Sequence, residues 1–418
     1  MKVFKFGGAS VKNANAVKNV VTILSSTLKN DKNNPLIVVV SAMGKTTNLL
    51  ESLVDAYYQS KPTQTIVDEF KSFHLNIVDE LNIKDLSNIN ITFQQLAYKL
   101  SLPHSDNYHF EYDQIVSFGE QLSTKILAEY LNQTHLKATW FDAREVIKTN
   151  NKWREAKVNW ELSQTKYDDI LLPKVRENKI IITQGFIGST LTNHTTTLGR
   201  EGSDFSAAIL AYFSNAESVT IWKDVPGMLN ADPKYFKGTV LLTKISFTEA
   251  IELAYYGASV IHPKTIQPLK KKDIPLYIKS FIKPNEGGTA IQSSTKYDAK
   301  VASFIFKPNQ VLLSVTPKDF SFIIEDNLKD IFAILSDENV RVNLMQNSAV
   351  SFSFLIDDKY NLQQIITHFK NDYLVKYNQN VELLTVRHYD DDTLERLTNG
   401  KQILLEQKTR QTARIVLG

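Results

Sequence analysis

The chain has 418 residues, more than one ordinary core accommodates, so about two to three domains are expected. Hydrophobic residues make up 43% and charged residues 22%, which excludes a disordered or fibrous protein, and 48 basic against 45 acidic residues, a net charge of +3, exclude the concentrated positive surface that nucleic acid selects. Cysteine is absent, which removes disulfides, thiolate zinc sites and cysteine nucleophiles together.

The first residues form a short apolar strand, Val3 to Phe6, that carries a single Lys5 and runs into Gly7-Gly8 and the hydroxyl of Ser10 before a helical pattern begins. Glycines let backbone N–H groups approach an anion, the following helix turns its positive end to the same place, and Lys5 adds a full charge. The segment therefore reads as a phosphate cradle. Its spacing fits neither the Walker A loop nor the dinucleotide fingerprint, and a plain strand-to-helix turn is the alternative reading. The N-terminus carries no signal-peptide pattern and no apolar run approaches the ~18 residues that span a bilayer, so a cytoplasmic protein without membrane contact is expected.

Val17, Val20, Val21, Leu24 and Leu28 recur at helical spacing, and Leu36 to Val40 is a continuous apolar run of the kind buried on both faces of a parallel sheet. Strand, helix and strand make a βαβ unit. From Thr47 to about Tyr130 the pattern is mostly helical, a helical layer or lid. Buried strands are then expected at Lys179 to Thr183, Ser218 to Trp222 and Pro275 to Phe281, with helices at Ser203 to Phe213 and Ser246 to Gly257 between them. Residues 1–290 thus read as one α/β domain, closed by the turn-rich stretch Pro284 to Gly288. Residues 300–418 read differently: from about 310 to 388 the pattern is β-α-β-β-α-β. A helix near Thr393 to Leu397 and strands at Ile403 to Gln407 and Ala413 to Leu417 look like an abbreviated second unit.

Candidate functional residues stand where these strands end. Ser41 to Asn48 follows a buried strand, the position at which α/β sheets place ligands, although a loop with a helix cap at Thr47 explains it equally. Glu120, in Phe118-Gly119-Glu120, is either a first-turn residue favoured by the helix dipole or a ligand for a substrate ammonium group. The hydroxyl- and glycine-rich stretch from Thr183 through Thr197-Leu198-Gly199-Arg200 to Ser203-Asp204 is more specific. Arg200 can grip a carboxylate in bidentate fashion and the N–H groups at Ser203 and Asp204 are further donors, against the alternative of a simple helix cap. Trp222 to Gly227 and Asp232-Pro233-Lys234 form a turn-rich loop that can hold a nucleotide or be an ordinary connection.

In this order, the blocks Lys5-Phe6-Gly7-Gly8-Ala9-Ser10, Val40-Ser41-Ala42, Phe118-Gly119-Glu120, Thr197-Leu198-Gly199-Arg200, Asp224-Val225-Pro226-Gly227 and Asp232-Pro233-Lys234 resemble the aspartate kinases of the amino-acid kinase family along essentially the full chain. The resemblance implies a carbamate-kinase-like three-layer α/β sandwich followed by an α+β, ferredoxin-like ACT regulatory region. It implies transfer of the ATP γ-phosphoryl group to the side-chain carboxylate of L-aspartate, with Mg²⁺, as the first step toward lysine, threonine and methionine. Lys5 and Asp204 would be catalytic. Ser41, Thr47, Glu120, Arg200 and Ser203 would bind aspartate. Lys5, Gly7, Gly8, Ser10, Lys223, Asp224, Leu229, Lys234, Ser259 and Val260 would hold the nucleotide. No metal-ligating residue is expected, and His74 and His262 read as structural because no partner stands at ligand spacing. A homodimer is the expected assembly. Another small-acid kinase of the same fold, or a non-catalytic amino-acid sensor, is the competing reading.

The departures from the family matter. It usually has threonine at Ala9, glycine at Glu201, threonine at Lys223 and lysine at Ser259; Lys223 is expected to supply the cation that Ser259 lacks. Lysine-inhibited relatives place acidic groups where this chain has Asn343 and Ala349, and an ammonium group without carboxylate partners is poorly compensated. Lysine is accordingly expected to inhibit weakly or not at all. An inhibition curve with full shut-off at sub-millimolar lysine contradicts this.

Overall fold

The computed structural model describes residues 1–31, 34–258 and 260–418. The chain divides into two compact units, one made of Met1–Met228, Leu241–Ile251 and Val260–Tyr297, the other of Leu229–Val240, Glu252–Ser259 and Asp298–Gly418.

The first unit is built on strands β1 (Lys2–Phe6), β2 (Leu36–Val40), β3 (Thr139–Phe141), β4 (Ile180–Gln184), β5 (Ile187–Ser189), β6 (Thr195–Thr197), β7 (Ser218–Lys223), β8 (Lys244–Ser246), β9 (Leu276–Ser280) and β10 (Thr289–Gln292). Eight of them form one sheet in the order β3-β4-β2-β1-β7-β9-β10-β8, and β5 pairs with β6 in a separate two-stranded sheet. β1 lies at the centre, parallel to β2 and to β7, and only β10 runs antiparallel to its neighbour β9. β2 and β4 are buried at every residue, as continuous apolar runs demand of central parallel strands.

Alternation along β1 decides where its one cation goes. Phe4 and Phe6 enter the core formed with Val17, Val20 and Leu24 of the helix Ala14–Asn30 and with the helices that follow. Lys5, between them, must point to the opposite face. There the helix Gly202–Ser214 packs on β1, β2 and β7, with the helix Pro263–Lys271 beside it. Sheet and two helical coats make the expected three-layer sandwich. The helical stretch read from Thr47 to Tyr130 consists of Thr46–Tyr58, Gln64–Glu80, Ser87–Ser101, Tyr108–Val116 and Phe118–Gln133.

The second unit carries a six-stranded antiparallel sheet from β11 (Ser303–Pro317), β12 (Val342–Asn347), β13 (Phe352–Asp357), β14 (Tyr373–Arg387), β15 (Ile403–Lys408) and β16 (Thr412–Leu417), in the order β12-β13-β11-β14-β16-β15. The expected β-α-β-β-α-β order is present, with helices Glu325–Asp337 and Leu362–Phe369 covering one core around Phe354 and Phe369. A second core gathers Leu384, Val386, Leu394, Ala413, Ile415 and Leu417. One expectation changes. The first strand of the pattern expected from about 310 begins at Ser303, and its last strand runs unbroken from Tyr373 to Arg387, so both extend from the first core into the second. Pro308-Asn309 hides this continuity. Pairing with β14 shifts register between Lys307 and Gln310, with Asn309 left-handed at φ +55° and Asn380 at φ +56°, so the apolar alternation breaks there.

Leu229–Val240 belongs to this second unit: Phe236 stacks on Phe304 at 5.5 Å and Asn230 Nδ2 donates to Ala302 O at 2.9 Å. Asn343, on β12, is already satisfied within the chain. Its amide donates to Gln310 Oε1 at 2.7 Å and Asp357 Oδ1 at 2.8 Å, and its oxygen accepts from Lys307 Nζ at 3.1 Å.

Candidate active site

A cleft of about 950 Å³ opens in the first unit where β1, β2 and β7 end. At its base Asp204, in the first turn of the helix Gly202–Ser214, lies between two ammonium groups. Lys5 Nζ is 2.7 Å from Oδ1 and Lys223 Nζ 3.3 Å from Oδ2. Lys223 reaches it from the last residue of β7 and also donates to the Val260 carbonyl. Burial alone would push the Asp204 carboxyl up, but the neighbouring charges of Lys5 and Lys223 outweigh it and hold the group below the usual carboxylate range. Two cations on one carboxylate leave a net positive charge at the base of the cleft.

Glu120 lies in the first turn of the helix Phe118–Gln133, buried to 3% exposure. Its Oε1 accepts from the Ala42 N–H at 3.2 Å, while Oε2 has no hydrogen-bond partner. Burial pushes its carboxyl up to about 8, against a smaller opposing pull from the Ala42 N–H. A buried carboxylate oxygen left open in a cleft is a place for a cationic donor. Close packing fixes the approach of this helix: a Cβ on Gly119 would lie 2.9 Å from Ala42 Cβ.

The cleft brings together Lys5, Ser41, Thr47, Glu120, Arg200, Ser203, Asp204 and Lys223 of the residues singled out in the sequence. Arg200 is exposed at its rim. Gly7, Gly8 and Ser10 do not line it. Packing requires a glycine at position 8, since a Cβ there would stand 2.8 Å from Ala42 O and 2.9 Å from Gly44 O. Ser10 is buried with its hydroxyl toward the Trp222 carbonyl at 3.5 Å, an interior contact. Asp224 is exposed and outside the lining, Leu229 and Lys234 belong to the second unit, and Ser259 lies outside the described residues. Helix capping also differs from the alternative considered above: the residue before the helix is Glu201, which makes no side-chain cap, and neither Ser203 nor Asp204 holds that place.

The histidines have local roles. His74 is buried against the Phe70 carbonyl, 2.7 Å from Nδ1, and burial lowers its ring to about 4; His262 caps the helix Pro263–Lys271 by accepting from Lys264 N at 3.2 Å. Among the described residues, no group of three His, Cys, Asp or Glu side chains could hold a metal ion, and no helix is long and apolar enough to cross a membrane.

The sequence reading missed the segment Asn151–Glu155, which lines the same cleft, and Asp113, which braces it from behind, and gave no role to Phe186, which also lines it. Three non-glycine residues at this cleft have left-handed backbones: Arg154 at φ +67°, Phe186 at φ +70° and Glu201 at φ +53°. Left-handed outliers of this kind concentrate at functional sites, and the absence of glycine hides them in a single sequence.

Comparison with known proteins places these features in a family. The model for the amino acid kinase family matches residues 1–280. The chain is 32% identical to lysine-sensitive aspartokinase 3 of Escherichia coli over 85% of this chain and 78% of that one, and 31% identical to the aspartokinase of Chlamydia muridarum over 84% and 77%. It spans 63% of the chloroplastic aspartokinase 1 of Arabidopsis thaliana, at 31% identity. Among solved structures, E. coli aspartokinase III with lysine and aspartate superposes with a TM-score of 0.83 at 27% identity, over 100% of this chain and 95% of that one. Clostridium acetobutylicum aspartate kinase gives 0.83 at 25%, covering 100% and 96%.

Glu201 gives a direct test of the strain. Replacing it by glycine removes a left-handed penalty of about 1 kcal/mol or slightly more, of which the extra freedom of glycine in the unfolded chain returns part. Glu201→Gly is expected to raise the thermal midpoint; an unchanged or lower midpoint shows that the Glu201 side chain contributes more than its backbone costs.

Proposed function

The chain belongs to the amino acid kinase family, among its aspartokinases, and is a kinase with the activity of an aspartate kinase; on that premise we propose how its own residues divide the work. The reading rests on one observation, the Lys5–Asp204–Lys223 cluster at the base of the cleft.

Phosphoryl transfer to a carboxylate makes a P–O bond from an aspartate side-chain oxygen and breaks the bond between the γ-phosphorus and the β,γ-bridging oxygen, so ADP leaves with the electron pair. The nucleophile is already ionised near neutral pH, and no general base is required. What remains is in-line placement and neutralisation of charge on the transferring group. Lys5 supplies the fixed charge at the terminal phosphate and Lys223 a second cation toward the nucleotide, in place of the lysine the family has at position 259. Asp204 holds both ammonium groups apart and oriented. The open Oε2 of Glu120 receives the substrate ammonium, and Arg200 grips the α-carboxylate, with Ser41, Thr47 and Ser203 along the walls. Gly7, Gly8, Asp224, Leu229, Lys234 and Val260 complete the nucleotide side of the proposal by resemblance. Asp204 is taken up by two lysines and no protein cage for a metal stands among the described residues, a donor set that suits Mg²⁺ carried mainly by phosphate oxygens, where it adds further charge neutralisation when bound. The product feeds lysine, threonine and methionine synthesis. Residues 300–418, which carry the apolar cores of the second unit, are the ACT-type region that takes an amino-acid effector and pairs two copies of the chain.

A coupled ADP-release assay tests this. ADP is expected with aspartate, and not with glutamate or without acceptor; equal release with glutamate favours a different small-acid kinase, and no release favours a sensor. Lys5→Ala is expected to lower kcat about a hundredfold, or about 3 kcal/mol in the barrier, with the fold intact. Retained turnover removes Lys5 from the mechanism.

Glu120 predicts the pH dependence. Its raised pKa means the free enzyme holds the carboxyl protonated below about pH 8, and only the ionised form attracts an ammonium group. KM for aspartate should therefore fall as pH rises from about 6 to about 8, by up to about tenfold per unit, and level off above. Glu120→Gln should abolish the slope. A flat KM in the unaltered enzyme across that range excludes the ammonium role.

A further inference from the structure

Asp113, in the helix Tyr108–Val116, is fully buried, does not line the cleft, and has no place in the chemistry just described. Its carboxylate nevertheless accepts from every side. The Arg154 N–H donates to Oδ1 at 3.2 Å and Oδ2 at 3.0 Å, the Thr197 N–H to Oδ2 at 3.0 Å, and the Thr197 hydroxyl to Oδ1 at 2.7 Å. Both donors stand on segments that form one wall of the cleft: Asn151–Glu155, which has neither helix nor strand, and β6 with the Leu198-Gly199-Arg200 stretch after it.

These two segments lean on each other at that point. The Ala156 N–H donates to Thr197 O at 2.9 Å, and a Cβ on Gly199 would stand 3.1 Å from Arg154 O. Arg154 is held left-handed, with its guanidinium 4.1 Å from the Tyr112 ring centre. Neighbouring Gln114 brackets Thr195, accepting from its N–H at 3.1 Å and donating to its carbonyl at 2.8 Å. Helix Tyr108–Val116 thus grips both segments through consecutive side chains. A buried carboxylate is a costly way to fill space, and burial pushes this one up to about 6. All its partners are donors, a set that only an acceptor with two oxygens satisfies.

We propose that Asp113 is the positioning residue for the aspartate-binding wall of the cleft, fixing the backbone at Arg154 and Thr197 so that Arg200 meets the substrate carboxylate. The inference rests on the aspartate kinase reading above. It concerns the amino-acid side alone, because Lys5, Asp204 and Lys223 stand on other elements.

Asp113→Asn tests it. Asparagine keeps the shape but turns an N–H₂ group against an N–H donor, and Thr197→Val removes a single bond with little change in volume. Aspartate KM, ATP KM, kcat, thermal midpoint and the Kd for aspartate from calorimetry are measured for both variants and the unaltered enzyme. Asp113→Asn is expected to raise the aspartate KM and Kd by about tenfold or more while the ATP KM stays within about twofold, and Thr197→Val to do the same to a smaller extent. A lower thermal midpoint with both KM values unchanged, or equal rises in the two, overturns the proposal. Should Asp113→Asn fail to fold, the Thr197→Val values decide. If the unaltered enzyme binds aspartate but transfers no phosphoryl group, the functional reading fails while the Kd shift still decides this inference; absent binding overturns both.

Discussion

A single buried carboxylate between two ammonium groups organises the catalytic unit. Asp204 is buried at the head of the helix Gly202–Ser214, with Lys5 at 2.7 Å and Lys223 at 3.3 Å. Such a cluster is a poor stabiliser, because taking three charges out of water costs about as much as their attraction returns. Its value lies in what remains: an excess positive charge, fixed in direction, at the floor of a cleft that water leaves when substrates enter. The geometry follows from elementary rules. Lys5 sits between Phe4 and Phe6 on a strand with period two, so the apolar core on one face forces the cation to the other, where the helix carries Asp204 in its first turn. The macrodipole favours a carboxylate at that end of a helix, which adds to the pairing.

Around this floor the cleft is asymmetric in a way that suits an amino diacid. Glu120 keeps one oxygen open in a buried setting, and Arg200 stands exposed at the rim. Three left-handed non-glycine residues, Arg154, Phe186 and Glu201, frame the opening. That strain is retained only because neighbouring hydrogen bonds over-determine it, as the bonds from Arg154 N to Asp113 do. The second unit is organised differently, by two long strands shared among three small cores, and its central polar group Asn343 is saturated by Gln310, Asp357 and Lys307.

Much of this was legible in the residues themselves. Continuous apolar runs announced β2 and β4, the lone Lys5 stood out as a cation on an otherwise apolar strand, and the C-terminal alternation carried the β-α-β-β-α-β order. The losses have physical causes. β3, β5, β6 and β8 are three residues each, too short to show a period. Bulges at Asn309 and Asn380 cut two long strands into apparent pieces. Asp113 carries no local signal at all, because its partners Arg154 and Thr197 are 41 and 84 residues away in the chain. At Gly8 the sequence shows the need for a close backbone approach but not what approaches, which on one side is the loop Ala42–Gly44.

The most direct measurement is a crystal structure of the enzyme with aspartate and a non-hydrolysable ATP analogue. The account predicts Lys5 Nζ within about 3 Å of a terminal phosphate oxygen, with Asp204 still between it and Lys223. A complex in which that nitrogen stays on Asp204 and lies far from every phosphate oxygen contradicts it.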